Sequence, residues 1–150
     1  MNLGLTSAAF TDGGAIPLQY TCDGANQSPP LAWGGVPAGT ASLALRVQDI
    51  DTAQQFVHWL VYNIPASTRL LAAGQVPPTA RQAANSFGNA SYGGPCPPAG
   101  SKHRYVFTLL SMATELTVSD QVSPSDLWST IERSAVNGKA ELTGTYQRGG

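Results

Sequence analysis

Charge is scarce in this chain. Of 150 residues only eight are Lys or Arg and nine are Asp or Glu, giving a net charge of −1. No basic run exists beyond "KHR" at 102–104, so binding to nucleic acid by neutralising its phosphates has no support. No apolar segment approaches the ~20 residues of a membrane-spanning helix. The opening "MNLGLTSAAFTDGG" lacks both the basic and the apolar region of a signal peptide. A cytoplasmic protein is therefore expected, although a mature periplasmic form carrying a new Met would read the same. Cysteine is nearly missing too. Cys22 and Cys96 lie far apart with no CxxC pair, which excludes the usual structural zinc site. In a cytoplasmic chain two free thiols are the expectation, with a disulfide as the alternative in an oxidising compartment.

Turn formers and apolar residues are abundant instead. Sixteen glycines and eleven prolines accompany 42% hydrophobic residues spread along the whole chain. A chain of this length can bury ~70% of its unfolded surface, so a single domain over 1–150 needs no metal or disulfide to fold. Strand-like runs separated by turn clusters predict a mostly β fold, a Greek-key-like sandwich. "SLALRVQD" (42–49) alternates Leu43, Leu45 and Val47 against Ala44, Arg46 and Gln48. "FVHWLVYNI" (56–64) is apolar on both faces, as a central strand is. "HRYVFTLLSM" (103–112) and "AELTGTYQ" (140–147) complete the strong strands, with weaker candidates around "DGGAIP" and Leu31–Trp33. One main C-terminal helix is expected in "SPSDLWSTIERSAVNG". Ser123 is its N-cap, Pro124 its first residue, Leu127, Ile131 and Ala135 its apolar stripe, and Asn137-Gly138 its end. The polar stretch 77–91 reads as a surface connection, long enough to be functional.

The candidate chemistry sits where polar groups interrupt these strands. Asp49 and Asp51 close the first strong strand as "RVQDID", and His58 lies inside the next, on the face of Leu60 and Tyr62 by strict alternation. His103, Tyr105 and Phe107 share a face of the third strand. Before it, "YGGPCPPAG" (92–100) packs three glycines and three prolines into nine positions. A buried histidine needs a hydrogen-bond partner, and Asp is a common one. These residues together suggest a small anion pocket at the end of the central sheet. In it Asp49 orients an imidazole, while two imidazoles, the Tyr105 hydroxyl and loop amides act as donors. Three alternatives use the same residues: a facial metal triad of His58, His103 and a carboxylate, a hydrolase built on an Asp–His pair, and Cys96 as a nucleophile. No ligand-spacing signature supports the first and no GxSxG elbow the second.

The order "DxD", "HWLVYNIP", "YGGPCPPAGSKHRYVFTL" and "AELTGTYQR" resembles the phosphatidylethanolamine-binding protein family, in its bacterial Raf kinase inhibitor-like branch. The resemblance runs from about Phe10 to Arg148. It implies a β-sandwich with a pocket for phosphate-like anions or a phospholipid head group. On the family's pattern the ligand-binding residues fall on Asp49, Asp51, His58, Gly94, Pro95, His103 and Tyr105, with no metal and no cofactor. Two departures stand out. "DIDTA" replaces DPDAP, which is expected to loosen one wall, and Ser86 stands in "NSFG" where bacterial relatives often carry an acid. The expectation is a non-enzymatic binding protein. Inhibition of a kinase or protease through protein contacts is the alternative, a hydrolase a more distant one, and a homodimer is compatible with the low-charge surface. If imidazolium groups hold the anion, affinity falls as pH rises through roughly 6 to 7.5.

Overall fold

The computed structural model describes residues 2–119 and 121–149; positions 1, 120 and 150 lie outside the described residues. The elements are β1 (Gly4–Thr6), β2 (Gly14–Ala15), β3 (Leu31–Gly34), β4 (Ser42–Asp49), β5 (Val57–Pro65), β6 (Leu70–Leu71), β7 (Arg81–Ala83), β8 (Lys102–Met112), α1 (Pro124–Glu132) and β9 (Val136–Gln147). They form two open sheets. One has the order β1-β3-β6 and the other β2-β9-β8-β4-β5-β7. All pairs are antiparallel except β2 with β9. Among the described residues the fold is mostly β with one α-helix.

The alternation in β4 has a direct structural meaning. Leu43, Leu45 and Val47 join Trp59, Tyr105, Phe107 and Leu109 in an apolar cluster with Leu5, Leu31, Trp33 and Leu71 of the small sheet. The other face of the large sheet contributes Ala44, Leu60, Tyr62, Leu110 and Met112, which pack with Leu127, Trp128 and Ile131 of α1. Both faces of β4 and β5 are thus covered, which is why β5 reads as a continuous apolar run. Arg46, on the helix side, lays its guanidinium 4.8 Å from the centre of the Trp128 ring.

The helix starts as expected and ends early. Ser123 Oγ accepts a hydrogen bond from the Asp126 amide at 3.2 Å, and Pro124 opens the first turn. The expected extension to Asn137-Gly138 is corrected: the helix closes at Glu132, and residues from Val136 belong to β9. Pairing with β8 wins over helical continuation because it satisfies a whole row of backbone groups. Gly138 therefore serves a strand. It lies opposite Ser111, and a Cβ there would collide with Ser111 Oγ and approach Pro37.

Candidate functional site

The ends of β4, β5 and β8 meet at one end of the inter-sheet cluster, and Asp49 of β4 pairs directly with Tyr105 of β8. Two residues before Tyr105, on the same face, His103 Nδ1 lies 2.5 Å from Asp49 Oδ2 and donates to it. The other carboxyl oxygen, Asp49 Oδ1, accepts the Asp51 amide at 2.8 Å. Both oxygens of the buried Asp49 are thus occupied. The imidazole that Asp49 meets is that of His103.

His58 owes its direction to an irregularity in β5. Val47 pairs with Trp59 and Gln48 with Val57, so His58 has no residue opposite it. A bulge of this kind bends the strand and re-aims a side chain. Strict alternation placed His58 with Leu60 and Tyr62, which belong to the helix-side cluster. That expectation is corrected, because the ring lies 5.3 Å edge-on from Tyr105, a member of the opposite cluster. His58 Nδ1 donates to the Gly93 carbonyl at 2.7 Å, and the His58 carbonyl accepts the Gly93 amide at 3.0 Å. Burial pushes the His58 pKa below its ordinary value, more strongly than the Gly93 carbonyl and the nearby Asp49 raise it.

The glycines of "YGGPC" permit this close docking. A Cβ on Gly93 would come within 2.6 Å of the Phe87 ring, and one on Gly94 within 2.5 Å of the Tyr20 carbonyl. Gly94 donates its amide to Asn26 Oδ1 at 2.8 Å, and the Pro95 carbonyl accepts the Cys22 amide at 3.1 Å. Cys22 and Cys96 are joined as a disulfide, with Cα atoms 5.4 Å apart. This corrects the expectation of free thiols and removes Cys96 as a nucleophile. The backbone contacts of residues 93–95 bring two cysteines that are remote in sequence into bonding range.

A cavity of about 160 Å³ opens here, lined by Asp49, Thr52, Phe56, His58, Phe87, Cys96, Pro97, Pro98 and His103. Of the seven residues expected to bind a ligand, Asp49, His58 and His103 line it. Gly94 and Pro95 do not line it: both are tied to the 20–26 segment, and Gly94 lines a second cavity with Cys22 and Asn26. Asp51 turns away to Arg104, which binds it through Nε at 3.0 Å and Nη2 at 2.7 Å. That guanidinium holds the Asp51 carboxyl down to about 2. Tyr105 is fully buried, its hydroxyl makes no hydrogen bond with the protein, and burial pushes its pKa up.

The two sequence departures have local explanations. In "DIDTA" Thr52 Oγ1 donates to the Asp49 carbonyl at 3.3 Å and accepts the Phe56 amide at 2.9 Å. Side-chain hydrogen bonds and the Asp51–Arg104 fork hold the turn that two prolines would otherwise stiffen. In "NSFG" Ser86 Oγ accepts the Val57 amide at 2.9 Å, beside the bulge. Sequence reading missed Phe56, Phe87 and Asn85. Buried Asn85 accepts the Phe87 and Asn89 amides at 2.9 and 3.1 Å and donates to the Ser91 carbonyl at 2.7 Å. It thereby shapes the loop that brings Phe87 edge-on to Phe56 and His58, at 4.7 and 5.4 Å. The turn-forming "NSFGN" was the available signal.

Among the described residues no group of three or more His, Cys, Asp or Glu side chains is placed to hold a metal ion, and no helix is long and apolar enough to cross a membrane. A family model described as phosphatidylethanolamine-binding protein matches residues 6–147. A UPF0098 protein of Methanothermobacter thermautotrophicus is 42% identical over 153 residues, spanning 98% of this chain and all of its own length. LppC of Mycobacterium tuberculosis, named as a lipoprotein, is 40% identical over 147 residues, spanning 97% of this chain and 72% of its own. Escherichia coli YbcL, described as a new member of the mammalian PEBP family, has a TM-score of 0.89 at 32% identity, covering 98% of this chain and 99% of that one. The PEBP homologue CT736 of Chlamydia trachomatis matches with a TM-score of 0.89 at 36% identity and 98% coverage of both chains. With these relatives and the quoted motifs in the same order, the chain belongs to the phosphatidylethanolamine-binding protein family, in its bacterial branch.

Proposed function

We propose that this protein is a non-enzymatic binding protein whose ligand is a small phosphate-bearing group, received between His58 and His103. The observation that carries this reading is the paired fixing of the two imidazoles. Each Nδ1 is committed to an acceptor of the protein, Gly93 O for one and Asp49 Oδ2 for the other, and both rings line one cavity of about 160 Å³. Each therefore has Nε2 left with which to meet a ligand. A cavity of that size suits one small polar group. Tyr105, whose buried hydroxyl has no protein partner, packs beside the two rings without lining the cavity. Asp49 positions His103, and Asp51 with Arg104 holds the turn.

The geometry gives less support to hydrolysis. Thr52 Oγ1 is engaged by backbone groups and Cys96 is in a disulfide, so no hydroxyl or thiol of the lining is free to attack an ester. The test is calorimetric titration of phosphate and of glycerophosphoethanolamine into the wild type and His58→Ala. Saturable binding of phosphate that His58→Ala abolishes is the expected result. Absence of binding to the wild type would overturn the reading and turn the search to protein partners on the surface.

A further inference from the structure

The hydrogen bonds of His58 determine what its outward nitrogen can do. A carbonyl oxygen only accepts, so the 2.7 Å contact with Gly93 O requires the proton on Nδ1. In the neutral ring Nε2 is then a bare lone pair, and it becomes a donor only if the ring takes a second proton. The surroundings oppose that second proton. Phe56 and Phe87 stand against the ring, with Tyr105 beneath it. Burial lowers the His58 pKa, outweighing the help of the Gly93 and Gly94 backbone and of Asp49, while His103 adds to the lowering. Among the lining residues there is no Lys or Arg, and Asp49 is the one acid. Arg104, the nearest guanidinium in sequence, is exposed and bound to Asp51. A fully deprotonated oxyanion entering this cavity would meet a lone pair at His58 and an acidic side chain behind His103.

We propose that at neutral pH the pocket recognises a phosphoryl group that brings its own proton, donating an acid O–H to the Nε2 lone pair of His58. The inference rests on the proposed function above and narrows its ligand class. Inorganic phosphate carries at least one proton throughout the neutral range and fits. A phosphate monoester fits only below its second pKa of about 6. Sulfate, equal in shape, has no proton to give. The phosphodiester of a phospholipid head group has none either, so its ammonium would be the sole donor it could offer. At neutral pH free phosphate is thus favoured over a phosphate monoester and over a phospholipid.

The experiment compares calorimetric titrations of inorganic phosphate, sulfate and glycerophosphoethanolamine at about pH 7.5, a unit above the ordinary histidine value of ~6.5. Each is run in two buffers of different ionisation enthalpy and repeated on His58→Ala. Phosphate should bind about tenfold or more tighter than either other ligand, because phosphate alone carries a donor on the phosphoryl group itself to match the lone pair. The heat should not depend on the buffer, since the hydrogenphosphate dianion already carries the proton it donates and none is taken from the buffer. Sulfate binding as tightly as phosphate, or uptake of about one proton per ligand, would overturn the inference while leaving the anion pocket standing. Glycerophosphoethanolamine binding more tightly than phosphate would do the same in favour of a lipid head group. No heat with any ligand, or phosphate binding unchanged in His58→Ala, would overturn both.

Discussion

His103 and Asp49 lie on neighbouring strands, and Asp49 Oδ2 holds His103 Nδ1 at 2.5 Å while Asp49 Oδ1 holds the Asp51 amide. One carboxyl group thus fixes the tautomer of an imidazole and the first bend of the turn that follows β4. Asp49→Asn keeps the shape of the side chain and removes the committed acceptor. Phosphate affinity should fall by about tenfold or more, the worth of a hydrogen bond to a charged group. Nitrogen NMR should show the His103 proton shared between Nδ1 and Nε2, which a merely structural role would not produce. Unchanged affinity with unchanged tautomer would remove Asp49 from the positioning role.

The depressed pKa of His58 carries a sign. A histidine whose folded value lies below its unfolded value of ~6.5 binds more protons when unfolded, so stability rises with pH there. It contributes fully above that value and is lost as pH falls through it toward the lower folded value. Urea midpoints should therefore drop below about pH 6.5 in the wild type, and the drop should shrink in His58→Gln. An identical pH profile in both proteins would contradict the assignment.

Phe87 is about half exposed (49%), so its removal should cost the fold little, under about 1 kcal/mol. Its ring nevertheless shields His58. Phe87→Ala should raise the His58 pKa toward its ordinary value, read by NMR titration of the ring protons. A shift in the other direction would mean that shielding by Phe87 is not part of the depression.

The bridge between Cys22 and Cys96 closes a loop of sequence separation 74. For that length the chain-entropy account gives about 4 kcal/mol of stabilisation, with measured bridges commonly at 2–4. Reduction, or the Cys22→Ser/Cys96→Ser pair, should lower the melting temperature. Ligand affinity should fall as well, because Cys96 lines the cavity and anchors Pro97 and Pro98 beside it. Two titratable thiols in the native, untreated protein would refute the bridge.

Ile131 of α1 is fully buried against the face of the large sheet away from the cavity. Ile131→Ala should cost about 2–5 kcal/mol of stability. Phosphate affinity of the folded fraction should stay within about twofold, since separated sites add independently. A large affinity loss would reveal coupling across the sheet.

Much of the framework was legible because period-two alternation is a local property of the chain. Residues 42–49 became β4 with those bounds, and β5 and β8 shifted by one residue at one end or both. The start of α1 was equally local: Ser123, Pro124 and Asp126 act within one turn. Its end was not, because whether residues 136–139 continue a helix or join a sheet depends on β8 lying alongside. Three polar residues of the cavity lining, Asp49, His58 and His103, were visible too, since histidines and acids are conspicuous in apolar strands of a chain this poor in charge. Their directions were not readable. Only the register between β4 and β5 creates the bulge that turns His58 toward Tyr105, and only folding brings Phe87 over it. The disulfide belongs to the same class, because two cysteines remote in sequence become neighbours only when backbone hydrogen bonds dock the 93–95 segment on residues 20–26. The sequence by itself therefore determined the strands, the helix start and the polar groups set among them. The tertiary structure decided which ring nitrogens are free, which acid holds which base and which cysteine meets which, because these depend on contacts between residues that local preference does not link.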